Sequence, residues 1–328
     1  MFYYYRRSVG SAIFSTLILL SVVSSLVLII INNNQKIYKI TERYESNSKI
    51  LFQIASVEDF AIDMLRSNLS KNSYSSNHHQ EWGQPIIKFP VGPYLIDSKL
   101  LDLDTKLNIN NLIKKNEYSI YPSDIDYAQL QSFIRLFNLL NIDRNKIDSL
   151  IDWIDKDSEM YSSYGAEDRY YIQKSPSYRA ANNYISDIDE LFLIKGFDRE
   201  IIAKIKPYVT ALPSGNLVNI NTANEIVLRS LHSVIGPTFS DEITKRAKEK
   251  PFHNMNEFKN FLKKQLRLND RDINQISSLT TTKSKNYAME AKISYIKYFI
   301  EFETLIYRKK DNDSFEKYNR IIKKFGSL

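Results

Sequence analysis

Residues 11–31 read SAIFSTLILLSVVSSLVLIII, twenty-one consecutive uncharged residues. As a helix rising 1.5 Å per residue they extend roughly 30 Å, one bilayer core. Arg6 and Arg7 lie before this run and the next charge after it is Lys36. Positive charge is retained inside, so the short N-terminus is placed in the cytoplasm and everything beyond about Asn32 outside. A cleaved secretory signal has an apolar core of roughly 7–15 residues followed by a small-x-small site. Here the run is longer and Gly10 precedes it. A basic leader Arg6-Arg7-Ser8-Val9-Gly10 followed by Ser11 looks like a prepilin-type leader, cut between Gly10 and Ser11 on the cytoplasmic side of a retained helix.

Past the apolar run, Ile40, Tyr44, Leu51, Ile54, Ala61 and Leu65 recur at steps of three, four and seven, so an amphipathic helix continues the anchor. This stripe is the expected partner-contact surface. Glu58 lies on it, where an unpaired charge is costly, so an internal ion pair or an edge position is expected there. Short β-type runs follow at 86–90 and 93–97, with 101–112 read as further strand.

From about Pro122 to Ile276 the period becomes helical, with helices expected over 125–139, 144–154, 188–193, 199–208, 223–231, 240–250 and 255–266. Strict alternation then returns: Met289, Ala291, Ile293 and Tyr295 against Glu290, Lys292 and Ser294, and Ile300, Phe302, Thr304 and Ile306 against Glu301 and Glu303. Residues 315–325 read either as a last strand or as a basic tail. The fold class is therefore α+β, an N-terminal transmembrane and stalk helix with an antiparallel sheet and a large inserted all-α domain. The segments are a leader 1–10, a membrane helix 11–34, a helix with the first strands 35–118, the helical insertion 119–278, and returning strands with a basic tail 279–328.

With 328 residues, 43% of them hydrophobic, the chain is long enough for a sizeable core. It has no cysteine, so no disulfide supports the exported part. The net charge of +7 is segregated: 141–200 holds thirteen acids against eight bases, while 308–328 holds seven bases against three acids.

The densest chemistry is LIDWIDKDSEMYSSYGAEDRYY at 150–171, which crowds Asp152, Asp155, Asp157, Glu159, Glu167 and Asp168 together. Such carboxylates repel one another unless a cation sits among them. A Ca²⁺ loop made of oxygen donors is one reading; a solvated acidic loop with helix caps is the other, because the EF-hand spacing is absent. Two acids flanking a cleft could also serve a hydrolase. No G-x-S-x-G, H-E-x-x-H or phosphate-binding glycine loop occurs, and the histidines are only His78, His79, His232 and His253, so no enzyme is expected.

The run VNINTA at 218–223 offers side-chain oxygens to cap a helix starting near Ala223. With Gly236-Pro237 and the helices beyond, it resembles helix-hairpin-helix (SAM-like) modules, and 188–208 resembles a partial second copy. In DNA-binding versions, hairpin amides face phosphate. Pro237 has no N–H, and acids interrupt the region, so no nucleic acid is expected. A membrane-anchored helix-hairpin-helix DNA-binding protein of a competence or pilus type is the alternative.

Asp152-Trp153-Ile154-Asp155-x-Asp157, Gly165-Ala166-Glu167-Asp168-x-Tyr170-Tyr171 and Val218-Asn219-Ile220-Asn221-Thr222-Ala223, in that order behind the anchor, resemble type II secretion system protein K, the GspK-like minor pseudopilins. Trp82, Asn108-Ile109-Asn110-Asn111-Leu112 and Ile188-Asp189-Glu190-Leu191 also occur in the family's order. The resemblance implies a pilin-like sheet with an inserted helical domain and a tip complex with I-like and J-like minor pseudopilins. It further implies the major pseudopilin and prepilin peptidase as partners, and a single pass through the inner membrane with the bulk periplasmic. Ser15 occupies the fifth position after the cut, where most pilins carry Glu, as the resemblance implies for a subunit with none above it. The resemblance also implies Ca²⁺, with ligands among Asp155, Asp157, Glu167 and Asp168, and Asp152 capping its own helix. Asn224, where the family often has Pro, and the basic tail depart from its pattern.

Overall fold

The structure is a computed structural model and describes residues 9–71, 75–114, 125–213, 215–295, 298–309 and 314–327. The chain divides into two compact units, Met1–Val57 and Glu58–Leu328. Helix α1, Val9–Lys71, contains the apolar span Ile13–Tyr38, which is long and apolar enough to cross a membrane. Gly10 and Ser11 lie in its first turns. The side chains of Ser11, Ile40 and Tyr44 lie outside the described residues.

The expected contact stripe on α1 needs correction. Leu51 is exposed, but Ile54, Glu58, Ala61 and Leu65 are buried within the chain itself and offer no free surface. Glu58 is the internal ion pair: it accepts from Arg320 Nε (2.6 Å) and Nη2 (2.5 Å) and from Thr304 Oγ1 (2.7 Å), with Lys317 Nζ 3.3 Å away. From Glu58 onward, a stripe apolar enough to dock a partner is equally able to dock on the chain's own sheet.

That sheet has five antiparallel strands in the order β1-β2-β7-β8-β9. They are β1 Ile86–Val91, β2 Tyr94–Asp102, β7 Asn286–Tyr295, β8 Tyr298–Arg308 and β9 Phe315–Ser327. The period of two puts Ile96, Leu100, Met289, Ala291, Ile293, Ile300, Phe302 and Ile306 in the core. The opposite face carries cross-strand charge pairs, Lys99–Glu290 (2.8 Å) and Lys292–Glu301 (3.4 Å), each directly opposite in register. Residues 315–325 thus belong to a strand. Residues 101–112 do not continue β2; after Asp102 they fold into two 3₁₀ turns around β3, Leu107–Asn108, because Asp102 and Asn108 each cap a turn with their own side chains.

Between β2 and β7 lies the helical part, with one core running from Leu107 to Leu279. Its helices are α2 Tyr127–Leu139, α3 Lys146–Ile154, α4 Asp168–Tyr171, α5 Arg199–Ile205, α6 Glu225–Leu231, α7 Pro237–Glu249, α8 Met255–Lys264 and α9 Asp270–Ser278. Most starts are fixed by a side-chain cap: Asp126, Asp198, Asn224, Asn254 and Asn269 each accept a backbone N–H of the first turn. Residues 188–193 form a 3₁₀ helix. Two parallel two-residue pairings, β3 with β4 Val209–Thr210 and β5 Val218–Asn219 with β6 Thr280–Thr281, tie each end of the insertion to its middle.

Candidate metal centre

Helix α3 is amphipathic, with Ile147, Leu150, Ile151, Trp153 and Ile154 buried, and it stops as the chain turns extended at Asp155. The loop that follows returns to α4, whose first residue comes just after Glu167. An aromatic block holds the two ends of this loop together. Trp153 meets Tyr171 edge to face at 5.0 Å, Tyr178 packs on Tyr171 at 5.4 Å, and Trp153 Nε1 donates to Glu190 Oε1 at 2.9 Å.

The consequence is a carboxylate cluster: oxygens of Asp155, Asp157 and Glu167 lie within 4.8 Å of one another. Asp155 Oδ1 and both oxygens of Glu167 are buried without any hydrogen-bond partner. Among the described residues none of the three forms an ion pair with a basic side chain. Burial, then repulsion from Asp157, Asp152 and Glu167, pushes the Asp155 carboxyl up to about 8. Burial and repulsion from Asp152 and Asp157 push Glu167 up to about 7. Three close carboxylates without thiol or imidazole, with the Asp155 and Glu167 oxygens buried and unpartnered and Asp157 Oδ1 accepting the Glu159 N–H at 2.8 Å, fit a hard oxygen-seeking cation.

Asp168 is not brought to this cluster. Its Oδ1 accepts the Ala180 N–H at 3.0 Å and its Oδ2 lies 3.7 Å from Arg179, so it ties α4 to the next loop. Nor does Asp152 cap its own helix: it sits in the last turn of α3, where no N–H is free. Instead it clamps the acidic loop, with Oδ1 accepting from Tyr161 N (2.7 Å) and Oδ2 from Ala166 N (2.6 Å). Gly165 permits this, since a Cβ there would stand 2.0 Å from Asp152 Oδ2. Ser149 Oγ and Lys195 Nζ hold the Tyr164 carbonyl at 3.2 and 3.1 Å, and Lys195 also reaches Gly165 O at 2.8 Å.

Asn182 escaped the sequence reading because it lies in a polar run with no spacing signal. Its Nδ2 donates to the Asp157 carbonyl at 2.6 Å, and its Oδ1 is buried and unpartnered. Its φ of 43° is one that asparagine tolerates better than most residues. At the second helix-hairpin-helix site, Gly236 N–H donates to Val234 O at 3.0 Å and Pro237, which has no N–H, opens α7, so neither residue offers an amide to a phosphate. The VNINTA run does not cap α6 through Asn221; Asn224 does, while Asn221 pairs both ways with the Phe252 backbone (3.0 and 2.8 Å).

Residues 105–214 match the family described as type II secretion system (T2SS), protein K. The chain is 32% identical over 186 residues to a type II secretion system protein K of Aeromonas hydrophila, covering 55% of this chain and 54% of that protein. It is 30% identical over 155 residues to the protein of that name in Pseudomonas aeruginosa, covering 44% of each. For Pectobacterium carotovorum the figures are 29% over 218 residues, 64% and 63%. These alignments span about half the length of the curated relatives. A chain of the crystal structure of the GspK-GspI-GspJ complex from the enterotoxigenic Escherichia coli type 2 secretion system superposes with a TM-score of 0.72 at 23% identity, covering 87% of this chain and 99% of that one. At that identity the superposition shows a shared fold. The resemblance read from the ordered motifs therefore stands: over residues 105–214 the chain carries the signature of type II secretion system protein K.

Proposed function

We propose that this chain is a minor pseudopilin of a type II secretion system, joined to I-like and J-like minor pseudopilins in a complex that starts the periplasmic pseudopilus and supports protein export. The observation that carries this is the fold: nearly the whole of a chain solved inside a GspK-GspI-GspJ complex is matched here, and protein K similarity falls on the helical insertion. The span Ile13–Tyr38 supports a single-pass anchor in the inner membrane with the bulk periplasmic. Ser15 in place of the usual Glu suits a tip position. The work is assembly rather than turnover; the major pseudopilin and prepilin peptidase are its further partners.

A Ca²⁺ ion held by Asp155, Asp157 and Glu167 would neutralise three crowded carboxylates and fasten the end of α3 to the start of α4. Asp152, Gly165 and Lys195 hold the loop so that these side chains converge.

Cells test the reading directly. Co-expression with a prepilin peptidase should shorten the chain by the ten residues ending at Gly10, and deleting its gene should stop export of type II substrates. Normal export without the chain would overturn the proposal.

A further inference from the structure

At the end of β2 lies a second pair of buried acids that plays no part in the metal centre. Asp102 and Asp104 are 5% and 2% exposed. Asp102 Oδ1 accepts from Asp104 N (2.9 Å), and its Oδ2 accepts from Ser284 Oγ (2.5 Å), Thr222 Oγ1 (2.6 Å) and Asn219 Nδ2 (3.1 Å). Asp104 Oδ2 accepts from the backbone N–H groups of Lys285 (2.6 Å) and Asn286 (3.3 Å), and Oδ1 from Asn286 Nδ2 (2.8 Å). Ser76, just past α1, joins through its carbonyl to Asn219 Nδ2 (3.0 Å) and its hydroxyl to Ser284 N (3.1 Å). Two segments far apart in the chain thus donate to the two carboxylates, and Ser76 links those segments to each other. The 219–222 turn belongs to the helical part and the 284–286 segment to the sheet.

Neither acid forms an ion pair among the described residues, although two like charges share a dry site. Asn286 adds a second anomaly: its Nδ2 serves Asp104 while its Oδ1 is buried with no partner. An amide turned by half a revolution would present that carbonyl to Asp104 Oδ1, which could donate to it only if protonated. The other ionisable groups facing the pair are Tyr287 in β7 and Tyr318 in β9, both kept neutral by burial, and Arg308 at the end of β8, whose charge acts on Tyr287.

We propose that Asp102 and Asp104 are a proton-operated latch between the helical part and the sheet: with one proton held on Asp104 it is closed, and losing that proton to solvent loosens it. Asp104 carries the proton, with Asn286 turning to accept it. Burial and the neighbouring Asp102 push Asp104 up to about 7, which puts the event near neutrality. A raised acid makes the folded state bind more protons than the unfolded chain, so this contribution to stability is complete at low pH and is lost as pH rises through about 7. None of this depends on the function proposed above.

The test uses the full chain in detergent carrying Trp153→Phe, which leaves Trp82 as the one tryptophan of the original two. Trp82 is buried with its ring 5.3 Å from that of Tyr287, so its emission reports the latch. The latch predicts an emission change and a melting temperature falling by several degrees between pH 5 and 8. Asp104→Asn should remove the emission change and make the fall in melting temperature smaller than the parent's, while matching the low-pH stability. All samples share one calcium buffer, so the acidic loop contributes equally and the difference isolates Asp104. A pH profile of Asp104→Asn that parallels the parent would overturn the latch. Should that variant fail to fold, a parent emission that stays flat from pH 5 to 8 overturns it just as well.

Discussion

Gly165→Ala is the perturbation whose cost the structure fixes most closely. The added methyl carbon would lie 2.0 Å from Asp152 Oδ2 and 2.9 Å from its Cγ. Carbon needs about 3.5 Å, so the carboxylate must retreat by about 1.5 Å. That movement breaks the bonds to Ala166 N (2.6 Å) and Tyr161 N (2.7 Å), which hold both ends of the turn before Glu167. Hydrogen bonds to a charged group contribute about 1.5–3 kcal/mol each, so after relaxation the substitution should cost about 3 kcal/mol. For a unit of this size that is a fall in Tm of about 6 °C in calcium buffer. If the loop yields locally instead, the same cost appears as calcium affinity weakened about a hundredfold. Differential scanning calorimetry and calorimetric calcium titration read the two. Adding Asp152→Ala should cost little more, since both changes remove the same clamp. A Gly165→Ala protein with unchanged Tm and affinity, or costs that add fully, would refute the clamp.

Three more outcomes are expected. Arg320→Met leaves Glu58, fully buried, with only Thr304 and the more distant Lys317, and should cost about 2–3 kcal/mol by thermal unfolding; adding Glu58→Gln should recover part of it. In chelator, Asp155 and Glu167 titrate near 8 and 7 in the folded state, so stability should fall as pH rises from about 4 to 8. Calcium displaces those protons, and its stabilising shift should therefore be larger at pH 8 than at pH 5; equal shifts would remove these side chains from the site. Asp168→Asn should keep calcium affinity within about twofold by titration, since an amide oxygen can still accept the Ala180 N–H.

The anchor, the alternating strands and most helices were legible because each buries one face and so writes its period into the sequence. Helix α9 was not, since it carries only Ile273 and Ile276 as buried apolar residues in an otherwise polar stretch. The 101–112 segment alternates like a strand, yet Asp102 and Asn108 draw it into capped turns. At the acidic loop, crowding marked six acids and the family resemblance narrowed them to Asp155, Asp157, Glu167 and Asp168, but spacing could not set apart Asp168, whose partner is the Ala180 N–H. Asn182 and the Glu58–Arg320 pair depend on contacts between residues 25 and 262 positions apart, which one sequence does not display.

The most direct measurement is reconstitution of the detergent-solubilised chain with the I-like and J-like pseudopilins of the same genome, analysed by size exclusion with light scattering. A minor pseudopilin of the protein K type gives one stable 1:1:1 species that persists at dilute concentration. Three separate peaks, with every component folded, would contradict assembly as its function.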